Sequence, residues 1–354
     1  MVTVLRIFVF GLCLASCGSF QCNSKRVATP KALEDTVNSF ALDQEASQRS
    51  LLFMTESPHV FSSPRQGEVR DHILSRLRAM NLEGTVQNFS VETPRRKLDL
   101  VSNPTETRYG SNVFVRLNLV ENPQCLVALG SHYDTKDMES FPYLGANDSA
   151  SSSILLLDLA RFLSLTKVPN LKCDIVLIWF DGEEAVLANW NDGKNKHPAK
   201  IQDNTYGSRH FAKDLVPCAC KGSLCEKPRF AGFVLLDMLG YHDLHITLDF
   251  HSSPKLRSLL VSASEFLNNK DVISENLQSI EDDHIPFKEK GVPVLNIIDF
   301  NHLALWHTEG DIADTVSMKS LEFSGKLALY VILNLASSPE FYTDSKTPCL
   351  QHSL

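Results

Sequence analysis

The chain has 354 residues, of which 43% are hydrophobic and 21% charged, a composition that is ordinary for a globular protein. Its formal net charge of -8 argues against a general nucleic-acid-binding protein, because such proteins carry an excess of basic residues. No segment is repeated or low in complexity, and no change in composition marks a boundary. We therefore predict a single domain over residues 20–354, which we expect to be a monomer without a nucleic-acid partner.

The N-terminus has the layout of a secretory signal peptide. Arg6 precedes an apolar run at residues 7–14, and small residues follow at 15–19. The run is too short to span a bilayer, which needs about 20 apolar residues. Residues 14–17 can also be read as a bacterial lipoprotein box, which we consider the weaker interpretation. We expect residues 1–19 to be removed and the protein to be secreted or kept in the secretory lumen, without stable membrane insertion.

Seven cysteines remain after the predicted signal peptide, an odd number for an oxidising compartment: Cys22, Cys125, Cys173, Cys218, Cys220, Cys225 and Cys349. The group from Cys218 to Cys225 could be a zinc knuckle, but no histidine or fourth cysteine lies at ligand spacing. An insertion held by disulfides is the better interpretation in a secreted chain.

Periodicity along the chain predicts alternating helices and strands. Helical patterns occur at residues 23–60, 68–80, 147–165, 206–211, 256–267 and 321–335. Strand patterns occur at residues 85–91, 112–120, 125–130, 175–179, 230–236 and 292–298. This alternation indicates an α/β fold with a largely parallel sheet. Asn88 begins a glycosylation sequon, and we expect a second formal sequon at Asn147 to be too enclosed to carry a glycan.

The most informative stretch is residues 173–184. Residues 175–179 are apolar without alternation, which is typical of a strand covered on both faces. Gly182 then allows a turn, and Glu183 and Glu184 follow at the carboxyl end of the strand, the edge where open α/β sheets bind ligands. Alone, this could be a solvated acidic loop. Because neighbouring side chains diverge at a turn, one carboxylate could instead bind a metal while the other faces a substrate.

Five potential metal ligands share this situation, just past a predicted buried strand or at the start of the next helix: His132, Asp148, Glu184, Asp237 and His307. Each has a structural explanation when taken singly; Asp148, for example, could cap a helix. Histidine with carboxylates suits zinc, and catalytic zinc keeps three protein ligands and an open position. Their joint placement therefore predicts a zinc site.

These residues, with the His132-x-Asp134 and Glu183-Glu184 motifs, resemble the ligand set of the two-zinc aminopeptidase clan. Within that clan the chain resembles glutaminyl-peptide cyclotransferases, and the resemblance covers roughly residues 60 to 335. The narrower match is carried by residues 181–185 followed by Trp190, and by residues 206–210, 282–287, 291–294 and 306–308. It implies a three-layer α/β/α sandwich with a central twisted mixed, mostly parallel sheet.

The resemblance also implies an activity and a site. Such enzymes convert the N-terminal glutamine of peptides and proteins to pyroglutamate with release of ammonia. One zinc ion per chain would be held by Asp148, Glu184 and His307. The other implied residues are Glu183 as proton shuttle, Trp190 and Trp306 as pocket walls, and Asp237 with Asp282 as a hydrogen-bonded carboxyl pair. A cis peptide bond would link Asp148 to Ser149.

Two other functions stay open at this point. A two-zinc aminopeptidase would use much the same residues, and the chain keeps His132 and Asp237. A binding module without chemistry is less favoured, because no ligand and no acid–base position has been lost.

The chain departs from the family pattern in three places. Ser131 and Ser153 stand where relatives commonly have cysteines, and a Cys125–Cys173 disulfide could replace the one lost. Glu281 stands where glutamine is expected, which makes the surroundings more negative. The aromatic residue expected shortly before Trp306 is either Phe300 or His302.

Overall fold

The structure is a computed structural model that describes residues 30–98, 103–221, 224–225, 227–342 and 347–351. The predicted signal peptide and Cys22 lie outside these residues. Across the described ranges, no helix combines the length and apolar character that crossing a membrane requires.

The described chain contains ten α-helices and twelve strands. The helices are α1 (Lys31–Asn38), α2 (Gln44–Met54), α3 (Pro64–Ala79), α4 (Ser152–Leu165), α5 (Asp192–Asn195), α6 (Tyr206–Ala212), α7 (Pro254–Phe266), α8 (Ile285–Glu289), α9 (Met318–Ser337) and α10 (Pro339–Tyr342). The strands are β1 (Thr85–Pro94), β2 (Thr105–Arg116), β3 (Cys125–His132), β4 (Cys173–Phe180), β5 (Leu215–Val216), β6 (Cys220–Lys221), β7 (Leu224–Cys225), β8 (Arg229–Asp237), β9 (Ile246–Asp249), β10 (Ile273–Gln278), β11 (Val294–Ile298) and β12 (Cys349–Leu350).

One mixed sheet organises the molecule, with its main strands in the order β1-β2-β4-β3-β8-β11-β9-β10. The four central strands β4, β3, β8 and β11 run parallel to one another, whereas β1 and β2 are antiparallel to their neighbours. Helices cover both faces, so the predicted α/β sandwich is confirmed. All four central strands end at the same edge of the sheet, where open α/β sheets bind ligands.

Side chains of β4 alternate between two hydrophobic layers. Leu177 and Trp179 pack under α4 and α9, in a layer rich in leucine. Ile178 and Phe180 face the opposite layer, beneath α6 and α8. The second layer is aromatic: Phe287 of α8 stacks on Phe233 with ring centroids 4.1 Å apart. Every residue of β4 is buried, which explains why this strand shows no alternation in its sequence.

A disulfide joins the first residues of two central strands. Cys125 and Cys173 are register partners in β3 and β4, with Cα atoms 4.5 Å apart. The predicted pairing is therefore confirmed. A second disulfide joins Cys218 to Cys349, so Cys218 is not available as a zinc-knuckle ligand.

The sequence patterns missed β9 and β10. β10 lies at the edge of the sheet, where little apolar sequence is needed, and β9, its inner neighbour, has only 4 residues. β10 reads Ile-Ser-Glu-Asn-Leu-Gln, which looks like a loop when only hydrophobicity is considered. The residues that directly follow β10, Ser279 to Glu281, form part of the rim of the candidate site.

Candidate active site

A cavity of about 340 Å³ opens at the carboxyl edge of the central strands. All eight residues that the resemblance implied for the site line it: Asp148, Glu183, Glu184, Trp190, Asp237, Asp282, Trp306 and His307. The strands explain this convergence, because Asp237 ends β8 and the Glu183-Glu184 pair lies just beyond the end of β4, after a two-residue turn.

The turn after β4 depends on Gly182. Its φ of +70° lies in the left-handed region, which side chains disfavour. A Cβ atom at this position would also come within 2.9 Å of the Phe61 ring. The glycine therefore lets the chain leave β4 and direct two consecutive carboxylates into the cavity.

Three side chains converge as metal ligands would. His307 Nε2 lies 2.9 Å from Glu184 Oε1 and 3.3 Å from Asp148 Oδ2. Ligand atoms of all three residues lie within 4.8 Å of one another. One imidazole nitrogen and two carboxylates form a donor set that suits zinc. The site therefore fits the metal that the sequence implied.

A second group of potential ligands shares Asp148 with the first. His132 Nε2 lies 3.0 Å from Asp148 Oδ1 and 3.4 Å from Asp237 Oδ1. On the other side of the ring, His132 Nδ1 lies 3.2 Å from the main-chain carbonyl of Asp134 and 3.6 Å from the carboxylate of the same residue. His132 is therefore fixed by a main-chain contact on one side and by two carboxylates on the other.

The surrounding charges favour a cation between these groups. Burial alone would lower the pKa of His307, but Glu184 and Asp148 outweigh it and raise this pKa to about 10. At His132 burial is likewise outweighed, chiefly by Glu183, and the pKa is raised well above its ordinary value. A metal ion would satisfy the same electrostatic demand.

Asp148 is held by two residues that sequence analysis did not assign to the site. Asp311 accepts a hydrogen bond from the Asp148 main-chain N–H at 3.2 Å and another from the Tyr143 hydroxyl at 2.9 Å. The Tyr143 hydroxyl also lies 3.3 Å from Asp148 Oδ2. The peptide bond from Asp148 to Ser149 is cis, as predicted. Only a spatial contact across more than 160 residues reveals the role of Asp311.

Asp134 fixes the neighbouring carboxylates from below. Its Oδ1 accepts a hydrogen bond from the main-chain N–H of Glu183 at 3.0 Å, and its Oδ2 accepts one from Glu184 at 3.2 Å. Lys136 Nζ donates to the Ala185 carbonyl at 2.6 Å, just beyond the pair. The turn is thus held at consecutive residues, which fixes the direction of each carboxylate.

Glu183 has the environment of a proton carrier. Its side chain is 9% exposed, and its carboxylate lies 4.0 Å from His132 Nε2. Burial raises its pKa well above the ordinary value, and Glu184 and Asp282 add to this against the opposing effect of His132. A raised pKa favours the uptake of a proton by a carboxyl group, as the role of a proton carrier requires.

Asp237 and Asp282 face the same cavity and repel each other's charge. Burial is the main cause that raises the pKa of Asp237 to about 6. Burial and the Asp237 charge raise the pKa of Asp282 to about 7. Asp282 Oδ2 accepts a hydrogen bond from Asn296 Nδ2 at 3.0 Å, and its Oδ1 accepts one from the Asp283 N–H at 2.6 Å. A direct hydrogen bond between the two carboxyls stays a prediction.

Aromatic rings form the apolar side of the cavity. Trp306 stacks on His307 with centroids 4.0 Å apart, and Phe300 meets Trp306 edge-on at 6.0 Å. The third aromatic wall is therefore Phe300, because His302 instead pairs with Asp299 at 2.6 Å. Trp190 lines the cavity from the loop after β4.

Backbone conformation at the site is unusual in two places. Met238 and His307 both line the cavity with φ near +55°, at 55° and 54° respectively. The left-handed conformation costs a side-chain-bearing residue about 1–2 kcal/mol, and such residues cluster at active sites.

The sequence profile described as Peptidase family M28 matches residues 112–332, more than half of the chain. This chain belongs to peptidase family M28. The matched range includes every predicted site residue. The sequence-based prediction of the clan is therefore confirmed.

Similar proteins of known sequence or structure include glutaminyl cyclases and an aminopeptidase. A glutaminyl-peptide cyclotransferase of Drosophila melanogaster is 29% identical over an aligned length of 354 residues, gaps included. The alignment covers 93% of this chain and 90% of that protein. A glutaminyl cyclase structure from an Acidobacteriales bacterium has a TM-score of 0.67 at 25% identity and covers 90% of this chain and 99% of that one. A leucine aminopeptidase precursor from Bacteroides thetaiotaomicron shares the fold, with a TM-score of 0.66 at 20% identity. The match covers 83% of this chain and 98% of that one. The resemblance to glutaminyl cyclases is thus confirmed.

Proposed function

We propose that this M28 protein is a zinc-dependent glutaminyl-peptide cyclotransferase, which converts the N-terminal glutamine of peptides and proteins to pyroglutamate. The observation that carries the proposal is a buried carboxyl group, Glu183, beside a three-residue ligand set and in front of aromatic walls. Asp148, Glu184 and His307 would hold one zinc ion per chain.

The reaction is an intramolecular aminolysis. The α-amine nitrogen forms a bond to the side-chain amide carbon, the bond from that carbon to the amide nitrogen breaks, and ammonia leaves. The attacking amine must lose a proton and the departing nitrogen must gain one. Glu183 can accept the first proton and deliver it to the second position, and such general acid–base catalysis contributes about 10²–10⁴-fold. A zinc ion bound at the three ligands supplies Lewis-acid polarisation of a carbonyl oxygen.

The remaining residues orient and shield the substrate. Trp190, Phe300 and Trp306 offer flat apolar surfaces against which the glutamine side chain can fold back on its own amine. Asp237 and Asp282 present carboxyl groups to the amine and amide nitrogens. A protonated carboxyl in this pair would donate a hydrogen bond where an ionised one would accept, since two charges at contact cannot both form easily. Exclusion of water also disfavours hydrolysis to glutamate.

The second group of ligands supports an alternative, a two-zinc aminopeptidase, because His132, Asp148 and Asp237 also converge. The two functions differ in zinc content. We expect about one zinc per chain by elemental analysis, and the same value for His132→Ala, since His132 would serve as a scaffold. Two zinc ions in the wild type, falling to one in the variant, would favour the aminopeptidase.

Two peptides test the activity itself. The protein is incubated with a Gln-initiated and an Ala-initiated peptide of otherwise equal sequence, and the products are measured by mass. Loss of ammonia from the first peptide supports the cyclotransferase. Removal of alanine from the second peptide, with no ring closure at the N-terminus of the first, contradicts it.

We also propose that the protein acts in the secretory lumen or outside the cell as a single domain over residues 20–354. The two disulfides support an oxidising compartment.

A further inference from the structure

The rim of the cavity carries a serine that neither the family resemblance nor the proposed mechanism uses. Ser279 directly follows β10 and lines the cavity together with Glu281 and Asp282. Its hydroxyl oxygen lies 2.9 Å from His251 Nε2. The other nitrogen of the same ring, Nδ1, lies 2.9 Å from Lys288 Nζ.

Donor and acceptor roles in this chain of contacts are fixed by chemistry. A lysine ammonium group has three N–H donors and no acceptor, so His251 Nδ1 must accept. The ring proton of the neutral imidazole then resides on Nε2, which donates to the Ser279 oxygen. The hydroxyl of Ser279 has one proton of its own, and no acceptor for it occurs among the described residues. That proton is free to be donated into the cavity.

The backbone holds these side chains in place. Asp249 of β9 is the register partner of Gln278 in β10, the residue before Ser279. Its Oδ1 accepts hydrogen bonds from the His251 N–H at 3.1 Å and from the Ile280 N–H at 3.2 Å. One buried carboxylate thus ties together the main chains that carry the histidine and the serine.

The rest of the lining is rich in acceptors. It contains six carboxyl groups and neither lysine nor arginine: Asp148, Glu183, Glu184, Asp237, Glu281 and Asp282. A bound peptide presents main-chain carbonyls, which need donors. Since the deep end of the cavity would take the N-terminal glutamine, the exposed rim faces the next residue of the substrate.

We propose that the Ser279 hydroxyl donates a hydrogen bond to the main-chain carbonyl of the second residue of the peptide substrate. His251 and Lys288 are positioning residues that turn this hydroxyl toward the cavity. The substrate class thereby becomes peptides that extend beyond the first residue rather than simple glutamine amides. This inference rests on the proposed cyclotransferase function.

Two substrates isolate the contact. Glutaminyl-alanine amide has the second carbonyl, whereas glutamine propylamide lacks it. In Ser279→Ala, kcat/KM for the first should fall by about three- to tenfold, the size of one hydrogen bond, through a higher KM. The second substrate should be unaffected. Ser279→Thr, which keeps a hydroxyl, should retain the preference, meaning the wild-type ratio of kcat/KM for the first substrate to that for the second. Ser258→Ala, at an exposed serine on α7, is the matched control.

The positioning residues are tested in the same way. His251→Gln keeps a donor near the place of Nε2 and should retain the preference, whereas His251→Leu should reduce it as Ser279→Ala does. Equal losses on both substrates, or no loss on either, would overturn the inference while leaving the cyclotransferase function intact. If the wild type releases ammonia from neither substrate, the proposed function fails and this inference fails with it.

Discussion

At the scale of single residues, the proposed function gives different tasks to two neighbouring carboxylates, Glu183 and Glu184. Asp134 binds the main-chain N–H groups of both Glu183 and Glu184, so neither side chain can rotate into the other's place by a shift of the turn. Glu184 lies against His307, and Glu183 lies toward His132. The backbone therefore separates the proposed ligand, Glu184, from the proposed proton carrier, Glu183, although the two residues are adjacent.

The first prediction tests this division. Glu183→Gln should lower kcat by about 10²-fold or more, because it removes general acid–base catalysis, and should keep the zinc. Glu184→Gln should instead lose the metal, because an amide is a poor ligand for zinc compared with a carboxylate. Zinc content by elemental analysis and turnover are measured for both, with exposed Glu68→Gln as control. Equal zinc loss in the two variants would contradict the assignment.

The second prediction concerns the effect of Asp282 on the free energy of unfolding. Its pKa is raised from 3.8 to about 7, so the folded chain binds a proton between these pH values that the unfolded chain has released. The free energy of unfolding should therefore fall as pH rises from about 4 to 7, by on the order of 2–4 kcal/mol. Asp282→Asn should reduce this slope, leaving the contribution of Asp237, whose pKa is also raised, to about 6. The variant should be the more stable protein at pH 8, but should lose activity.

Urea denaturation at pH 5 and pH 8 in the presence of a chelator measures this, since the chelator removes the contribution of bound metal. Exposed Asp71→Asn is the control. A variant as sensitive to pH as the wild type would show that Asp282 ionises normally in the folded protein.

At the scale of elements, the disulfide between β3 and β4 lies apart from Ser131 and Ser153, the two serines that stand at the expected cysteine positions. Ser131 and Ser153 both donate hydrogen bonds to the main-chain carbonyl of His132, at 3.1 Å and 2.7 Å. These hydroxyls hold the end of β3 without a covalent bond near the site. The covalent bond lies at the opposite ends of the same strands, between Cys125 and Cys173.

The third prediction follows from that placement. The double variant Cys125→Ser, Cys173→Ser should be destabilised by about 2–4 kcal/mol, because a closed loop restrains the unfolded chain. The two cysteines are 48 residues apart in sequence, which makes this loop substantial. Urea unfolding measures the loss, and kcat at 25 °C should be retained. A loss of activity at full stability would mean that the disulfide shapes the site directly.

The sequence predicted the central strands and the residues at their ends, because buried parallel strands are apolar throughout and polarity changes sharply where they stop. It did not predict β9, which has only 4 residues, or β10, whose position at the edge of the sheet tolerates polar residues. Nor did it reveal Asp311 or the pairing of Ser279 with His251. Those roles arise from contacts between residues far apart in the chain, and no local pattern records them.

At the scale of the whole molecule, the two glycosylation sequons differ in their exposure at the surface. Asn88 lies on the outer strand β1 and is exposed, whereas Asn147 is fully buried. This burial agrees with the expectation that Asn147 is too enclosed to carry a glycan.

The fourth prediction is that protein made in a eukaryotic secretory host carries a glycan at Asn88 and none at Asn147. A glycosidase that removes N-linked sugars should lower the mass of the wild type and leave Asn88→Gln unchanged. A glycan that persists in Asn88→Gln would place modification elsewhere, and unmodified wild type recovered from the medium would contradict the use of this sequon.

The parallel strand β3 has a consequence for handling the protein as a reagent. Its eight residues run from Cys125 at the disulfide to His132 beside Asp148 and Asp237, a span of about 23 Å at roughly 3.3 Å per residue. Two chemical treatments therefore act near opposite ends of β3. A phosphine reductant would break the disulfide at Cys125, and a chelator would remove a metal ion bound near His132. Their effects on unfolding should add, as they do for sites more than about 10 Å apart. Bond reduction and metal removal can thus serve as independent controls over the same molecule.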